Sequence, residues 1–149
     1  MKKLLLTFTT LSLLLLASCD KDDDDKNEEP SVTVESLSGN YKLTAIWVKP
    51  DALPSEIDAT DRFLAPCVKD DIYNLKTDFT YAYIDAGTKC DPPGDDNGTW
   101  ALPGNNVIHI DGDPYNVVKW DGSNLHISQS GTDPDTGQTG TVRLEFTRQ

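Results

Sequence analysis

The chain is predicted to be all-β: one antiparallel eight-stranded meander that closes into a barrel. Three observations carry this expectation. Apolar residues recur with period two, clusters of Pro, Gly, Asn and Asp interrupt the pattern at short intervals, and the runs between those clusters number eight. With 149 residues, and fewer once an N-terminal segment is set aside, there is material for a single core. Neither an internal repeat nor a second domain is visible.

The candidate strands, in order, are residues 41–48, 71–76, 79–85, 98–102, 106–111, 115–120, 124–129 and 141–147. The last alternates most cleanly, with Val142, Leu144 and Phe146 on one face and Arg143, Glu145 and Thr147 on the other. One face is therefore buried and the other wet. Thr77-Asp78, Pro103-Gly104-Asn105, Asp111-Gly112-Asp113-Pro114 and Asp121-Gly122-Ser123 join neighbouring runs over hairpin-like distances. Sequential strands thus pair in turn, and closure of the meander removes its exposed edges. Residues 49–66 break the rhythm with three prolines and a stretch, 55–63, able to form a helical turn. They read as a long crossover, either a binding loop or a passive cover.

The N-terminus reads as a targeting device. Lys2 and Lys3 precede an apolar run over residues 4–16, too short for the roughly 20 residues of a membrane-spanning helix. Residues 1–18 are therefore a signal peptide. Its end, Leu16-Ala17-Ser18-Cys19, resembles the lipobox of bacterial lipoproteins. That resemblance implies a diacylglycerol on the Cys19 thiol and an acyl group, such as palmitate, on its amino group; two or more chains give stable anchoring where one does not. Residues 19–30 follow as a lipidated, acidic tether: from Asp20 to Pro30 there are seven acids, two lysines and no apolar side chain. Such a segment stays solvated and extended. Lys21-Asp22-Asp23 also looks like the export signal of Bacteroidetes-type surface lipoproteins, which implies an outer-membrane, cell-surface location.

Formal charge is −12, and removal of Lys2 and Lys3 leaves eleven cations against 25 acids, or −14. A surface of that sign repels phosphate backbones, so nucleic acid is excluded as a partner. Export places the two remaining cysteines, Cys67 and Cys90, in an oxidising compartment, where a disulfide is expected and two buried thiols are the alternative.

Within residues 31–149 several short motifs point to a family. Leu37-Ser38-Gly39-Asn40-Tyr41-Lys42-Leu43 resembles the opening strand of lipocalin-like domains, with Tyr41 in place of the usual Trp. The Cys67 segment, Asp78-Phe79-Thr80-Tyr81, Cys90, Gly98-Thr99-Trp100-Ala101-Leu102 and Asp121-Gly122-Ser123-Asn124-Leu125 are similar to further segments of the lipocalin-like lipoproteins of Bacteroidetes-type bacteria. The resemblance implies a lipocalin-like barrel, its end closed by an aromatic packed on a late arginine, Arg143 or Arg148.

Motifs for chemistry are absent from the sequence: no Gly-x-Ser-x-Gly, no phosphate-cradling glycine loop and no His-Glu-x-x-His. No catalytic residue, metal or cofactor is expected. His109 and His126 read as two surface histidines, too few for a zinc site. The acidic loops 91–98 and 133–137 lack EF-hand spacing and read as solvated turns. Tyr81, Tyr83, Trp100 and Trp120 are the candidate ligand-lining residues, with Ala45 and Ala101 leaving room beside them; the competing reading is a solid aromatic core. The function expected is a non-enzymatic surface lipoprotein that binds a small apolar or glycan ligand. The alternative is a structural or adaptor module that holds an envelope protein in an outer-membrane assembly.

Overall fold

The computed structural model describes residues 30–104, 106–134 and 136–149. The signal peptide, Cys19 and all of the tether before Pro30 lie outside the described residues. All eight expected strands are present, joined by two short helices and one small extra strand. Their order is α1 (Val34–Leu37), β1 (Gly39–Pro50), β2 (Ile57–Asp58), α2 (Thr60–Phe63), β3 (Ile72–Leu75), β4 (Thr80–Ile84), β5 (Asp96–Gly104), β6 (Val107–Ile110), β7 (Asp113–Trp120), β8 (Asn124–Thr132) and β9 (Thr139–Arg148).

Strands β3 to β9 pair antiparallel in chain order, and β1 joins β3 on one edge and β9 on the other. This closes an antiparallel eight-stranded barrel, with β2 as an appendage on the far half of β1. Closure removes the sheet edges that a meander of this length would otherwise expose. Gly122 turns the β7–β8 hairpin at φ +89°, a conformation that side chains other than glycine rarely adopt.

The interior is packed at the end where α1 sits. Leu37, Tyr41, Leu43, Leu75, Trp100, Ile108, Trp120, Leu125, Ile127 and Phe146 all belong to one buried cluster. The cavity among the inward side chains around Tyr41, Tyr73 and Phe146 is about 20 Å³, too little for more than a water molecule. Helix α1 plugs this end. A capping box between Thr33 and Ser36 starts the helix, and its single buried residue, Leu37, is wholly inaccessible. The Leu37 carbonyl accepts a hydrogen bond from the Tyr41 hydroxyl at 2.8 Å. Burial, against the opposing pull of Arg148, pushes the Tyr41 phenol up to about 12, so it stays protonated and a donor.

The walls differ in length. β3 pairs with β1 only from Gly39 to Tyr41, and β7 pairs with β8 only as far as Ser128. β1 and β9, by contrast, stay paired from Tyr41 and Arg148 to Pro50 and Gly140, and β8 and β9 to Thr132 and Thr139. β1, β8 and β9 therefore stay paired with one another beyond the points where β3 and β7 leave them, and form a three-stranded curved wall.

Candidate functional site

That curved wall is a cup, and the register of its strands shows how it arises. A bulge at Thr44 resets the alternation of β1, so that four levels of inward residues run across β1, β9 and β8. The first is Leu43, Phe146 and Leu125, and the second Ile46, Leu144 and Ile127. Five of these six are buried. The third level is Val48, Val142 and Gln129, and the fourth Pro50, Gly140 and Gly131. Here burial fades, and Val142 is 40% exposed. The inner face of the barrel thus passes from sealed core to open cup within two residue pairs. Gly140 is required at the rim, because a Cβ there would lie 2.7 Å from the Lys49 carbonyl oxygen.

The cup has a volume of about 520 Å³, within the range of small-molecule sites. Its apolar lining comes from Ile46, Val48, Pro50, Val142 and Leu144, with Phe63 of α2 standing at its side, 56% exposed. The polar lining is concentrated on the β8–β9 hairpin, where Gln129, Thr132, Asp133, Gln138 and Thr139 sit. None of the described lining residues is Lys, Arg or His. Arg62 lies against the Phe63 ring, 5.4 Å from its centroid, without itself lining the cup.

The four aromatics proposed as ligand-lining do not line this cup. Trp100 and Trp120 are 2% and 4% exposed in the packed core; the Trp100 Nε1–H donates to the Lys76 carbonyl at 2.8 Å. Tyr81 and Tyr83 share the face of β4 that faces Leu75 and Tyr73 on β3. Tyr81 donates its hydroxyl to Asp111 Oδ2 at 2.5 Å, and Tyr83 donates to Asp71. In both, burial and then the carboxylate partner raise the phenol pKa, so these groups act as fixed donors. Ala45 and Ala101 make no room inside, since both pair with outward residues, Glu145 and His109. The residues the sequence reading missed are Gln129, Val142, Val48 and Phe63. Gln129 and Val142 continue the alternation of the predicted strands, whereas Val48 turns inward only because the bulge at Thr44 shifts the phase of β1, and nothing in one sequence marks that bulge or the level at which the opposite wall parts from these strands.

The expected disulfide is present, joining Cys67 to Cys90 with Cα atoms 5.3 Å apart. It ties the end of the crossover to the β4–β5 loop. Beside it lie Asp71 and Asp85, 1% and 0% exposed and gathered with the Cys90 sulfur within 4.8 Å. That sulfur is bonded to Cys67. Asp71 accepts from the Ala86 N–H at 2.9 Å as well as from Tyr83; Asp85 accepts from the Cys90 N–H at 3.3 Å and the Gly94 N–H at 3.2 Å. The two acids thereby fold loop 86–95 against the sheet. His109 and His126 are separated by β7 and pair with Pro114 and Lys119, so they are not neighbours. His126 faces Glu145 at 3.8 Å.

The packed end carries the closure expected of the resemblance. The Arg148 guanidinium lies 5.5 Å from the Tyr41 centroid and 5.2 Å from that of Trp120. It also donates to the carbonyls of Ser36 at 2.9 Å, Gly122 at 3.4 Å, and Ser38. Tyr41 therefore takes the place that Trp holds in the family pattern. Arg143 lies instead on the outer face, stacked on Trp47 and paired with Glu56 at 2.7 Å.

A closed antiparallel barrel, plugged at one end under an arginine and cupped at the other, defines a binding-protein architecture of the lipocalin kind. The chain belongs to the Lipocalin-like domain family, which it matches over residues 37–127. No curated protein and no solved structure matches it.

Proposed function

We propose that this protein is a non-enzymatic, lipid-anchored cell-surface protein of the outer membrane whose barrel binds a small apolar or glycan ligand in the cup. The observation that carries the binding half is the unfilled inner face of β1, β8 and β9: apolar side chains held open by the strands rather than packed. The lipobox-like Leu16-Ala17-Ser18-Cys19 and the acidic tether support the anchoring half. Geometry links the two. Pro30, the last residue of the tether, lies beside Gly122 at the plugged end, whereas the cup is at the far end of β9. Ten residues of strand separate them, about 30 Å. Anchored through Cys19, the barrel would be tethered at the end opposite its cup.

Native mass spectra of the mature protein recovered from its own host test the binding half. A retained apolar or sugar mass is the expected result, and a bare chain in every charge state counts against it. Replacing Asp22 to Asp25 with Ala tests the surface location. The domain then becomes inaccessible to protease added to whole cells, and unchanged sensitivity refutes the export role of the acids. A second reading, an adaptor for an envelope protein, draws on the exposed apolar side chains Leu53, Ile57, Phe63 and Val142 in or near the crossover and the cup. It predicts a co-purifying protein whose release follows Phe63→Ser.

A further inference from the structure

We infer that the cup selects an electrically neutral amphipath, with an apolar body and one hydroxyl, carbonyl or amide group, over an anionic lipid of the same length. This deepens the binding reading above and rests on it. The first support is the charge of the lining. Among its described residues there is no cation to pair with a carboxylate or phosphate, and Asp133 stands at the hairpin. An anion seated on Val48, Val142 and Leu144 loses hydration without gaining a counter-charge, and an unpaired charge in apolar surroundings is costly. The surplus of acids over the whole chain adds a repulsive field in the same sense.

The second support is Gln129. Its strand sends Leu125 and Ile127 inward, both buried, and at the next inward position places an amide. The Gln129 side chain is half-buried, lies level with Val142 and Val48, and has no intramolecular hydrogen-bond partner among the described residues. An amide both donates and accepts, so it serves a neutral hydroxyl or carbonyl from either side. The lining is also graded: β1 and α2 contribute Ile46, Val48, Pro50 and Phe63, while the polar groups lie on β8, the β8–β9 hairpin and the first residues of β9. A ligand with one apolar and one hydrogen-bonding end thus has a defined direction in the site. Arg62 is stacked on the Phe63 ring and does not itself line the cup.

The test uses the chain from Asp20 onward, which retains every strand, the core and the disulfide. Binding of the neutral dye N-phenyl-1-naphthylamine is followed by fluorescence, and 1-decanol and decanoate compete for it at pH 8. Decanol displaces the dye with at least tenfold higher affinity than decanoate, and Gln129→Arg reverses the order by strengthening decanoate. Val142→Lys, at a partly exposed position that tolerates a long side chain, shifts the preference in the same direction should the first variant fold poorly. Decanoate binding as tightly as decanol to the unaltered chain overturns the charge selection while leaving the cup a binding site. Failure of dye, decanol and decanoate alike to bind removes the binding reading itself. Binding that neither variant changes places the site elsewhere and also overturns the inference.

Discussion

At the scale of single residues, Arg148 does the most to close the barrel. Its guanidinium is shared between two aromatic faces and three backbone carbonyls contributed by α1, its C-terminal flank and the β7–β8 turn. Hydrogen bonds from a charged donor and stacking on aromatic rings both count here. Arg148→Met is therefore expected to lower stability by about 2–4 kcal/mol, measured by chemical denaturation, while dye binding at the distant cup persists. Asp121 acts at the same end. The Asn124 side chain first, then Lys119 and the backbone N–H groups of Asn124 and Ser123, hold its carboxyl well below the usual range. A carboxylate with a lower pKa folded than unfolded stabilises the fold above the unfolded value near pH 4, and that contribution disappears as pH falls through the folded value. Denaturation midpoints between pH 5 and pH 2 should consequently fall further for the unaltered protein than for Asp121→Asn. Equal slopes would show that the turn carboxylate plays no part in acid stability.

At the scale of elements, the crossover between β1 and β3 is held from both sides. The disulfide closes a loop of 23 positions, and chain-entropy reasoning assigns such a bridge about 3 kcal/mol. The double variant Cys67→Ser, Cys90→Ser should lose about that amount against denaturant. Asp71 and Asp85 keep loop 86–95 folded, so the variant is expected to remain a barrel with unaltered far-ultraviolet circular dichroism. Much of this level was legible in the sequence. Alternation and turn chemistry are local properties, and all eight strands appear where the pattern puts them, each within a few residues. The four-residue helix α1 was not foreseen. Thr33 and Ser36 carry its capping box, but one turn of helix has no periodicity to read.

At the scale of the whole molecule, the barrel divides into a sealed half and an open half, and substitutions should divide the same way. Trp100→Ala, in the sealed half, is expected to cost about 3–5 kcal/mol of stability with little direct effect on the cup. Phe63→Ala, at an exposed position beside the cup, should leave the denaturation midpoint nearly unchanged and weaken N-phenyl-1-naphthylamine binding severalfold. The reverse pattern, a stable Trp100→Ala that no longer binds, would return the site to the aromatic interior.

The sequence by itself determined the fold class, the strand order, the cysteine pairing and the family, because alternation, turn residues and short motifs are written along the chain. Only the tertiary structure decided where the interior is full and where it is open. Tyr81, Trp100 and Gln129 are alike in sequence terms, each at an alternating position on a strand. What separates them is the stagger of the closed barrel: β1, β8 and β9 stay paired beyond the levels at which β3 leaves β1 at Tyr41 and β7 leaves β8 at Ser128. An inward side chain opposite a wall becomes core, and one beyond the end of that wall becomes the lining of a cup.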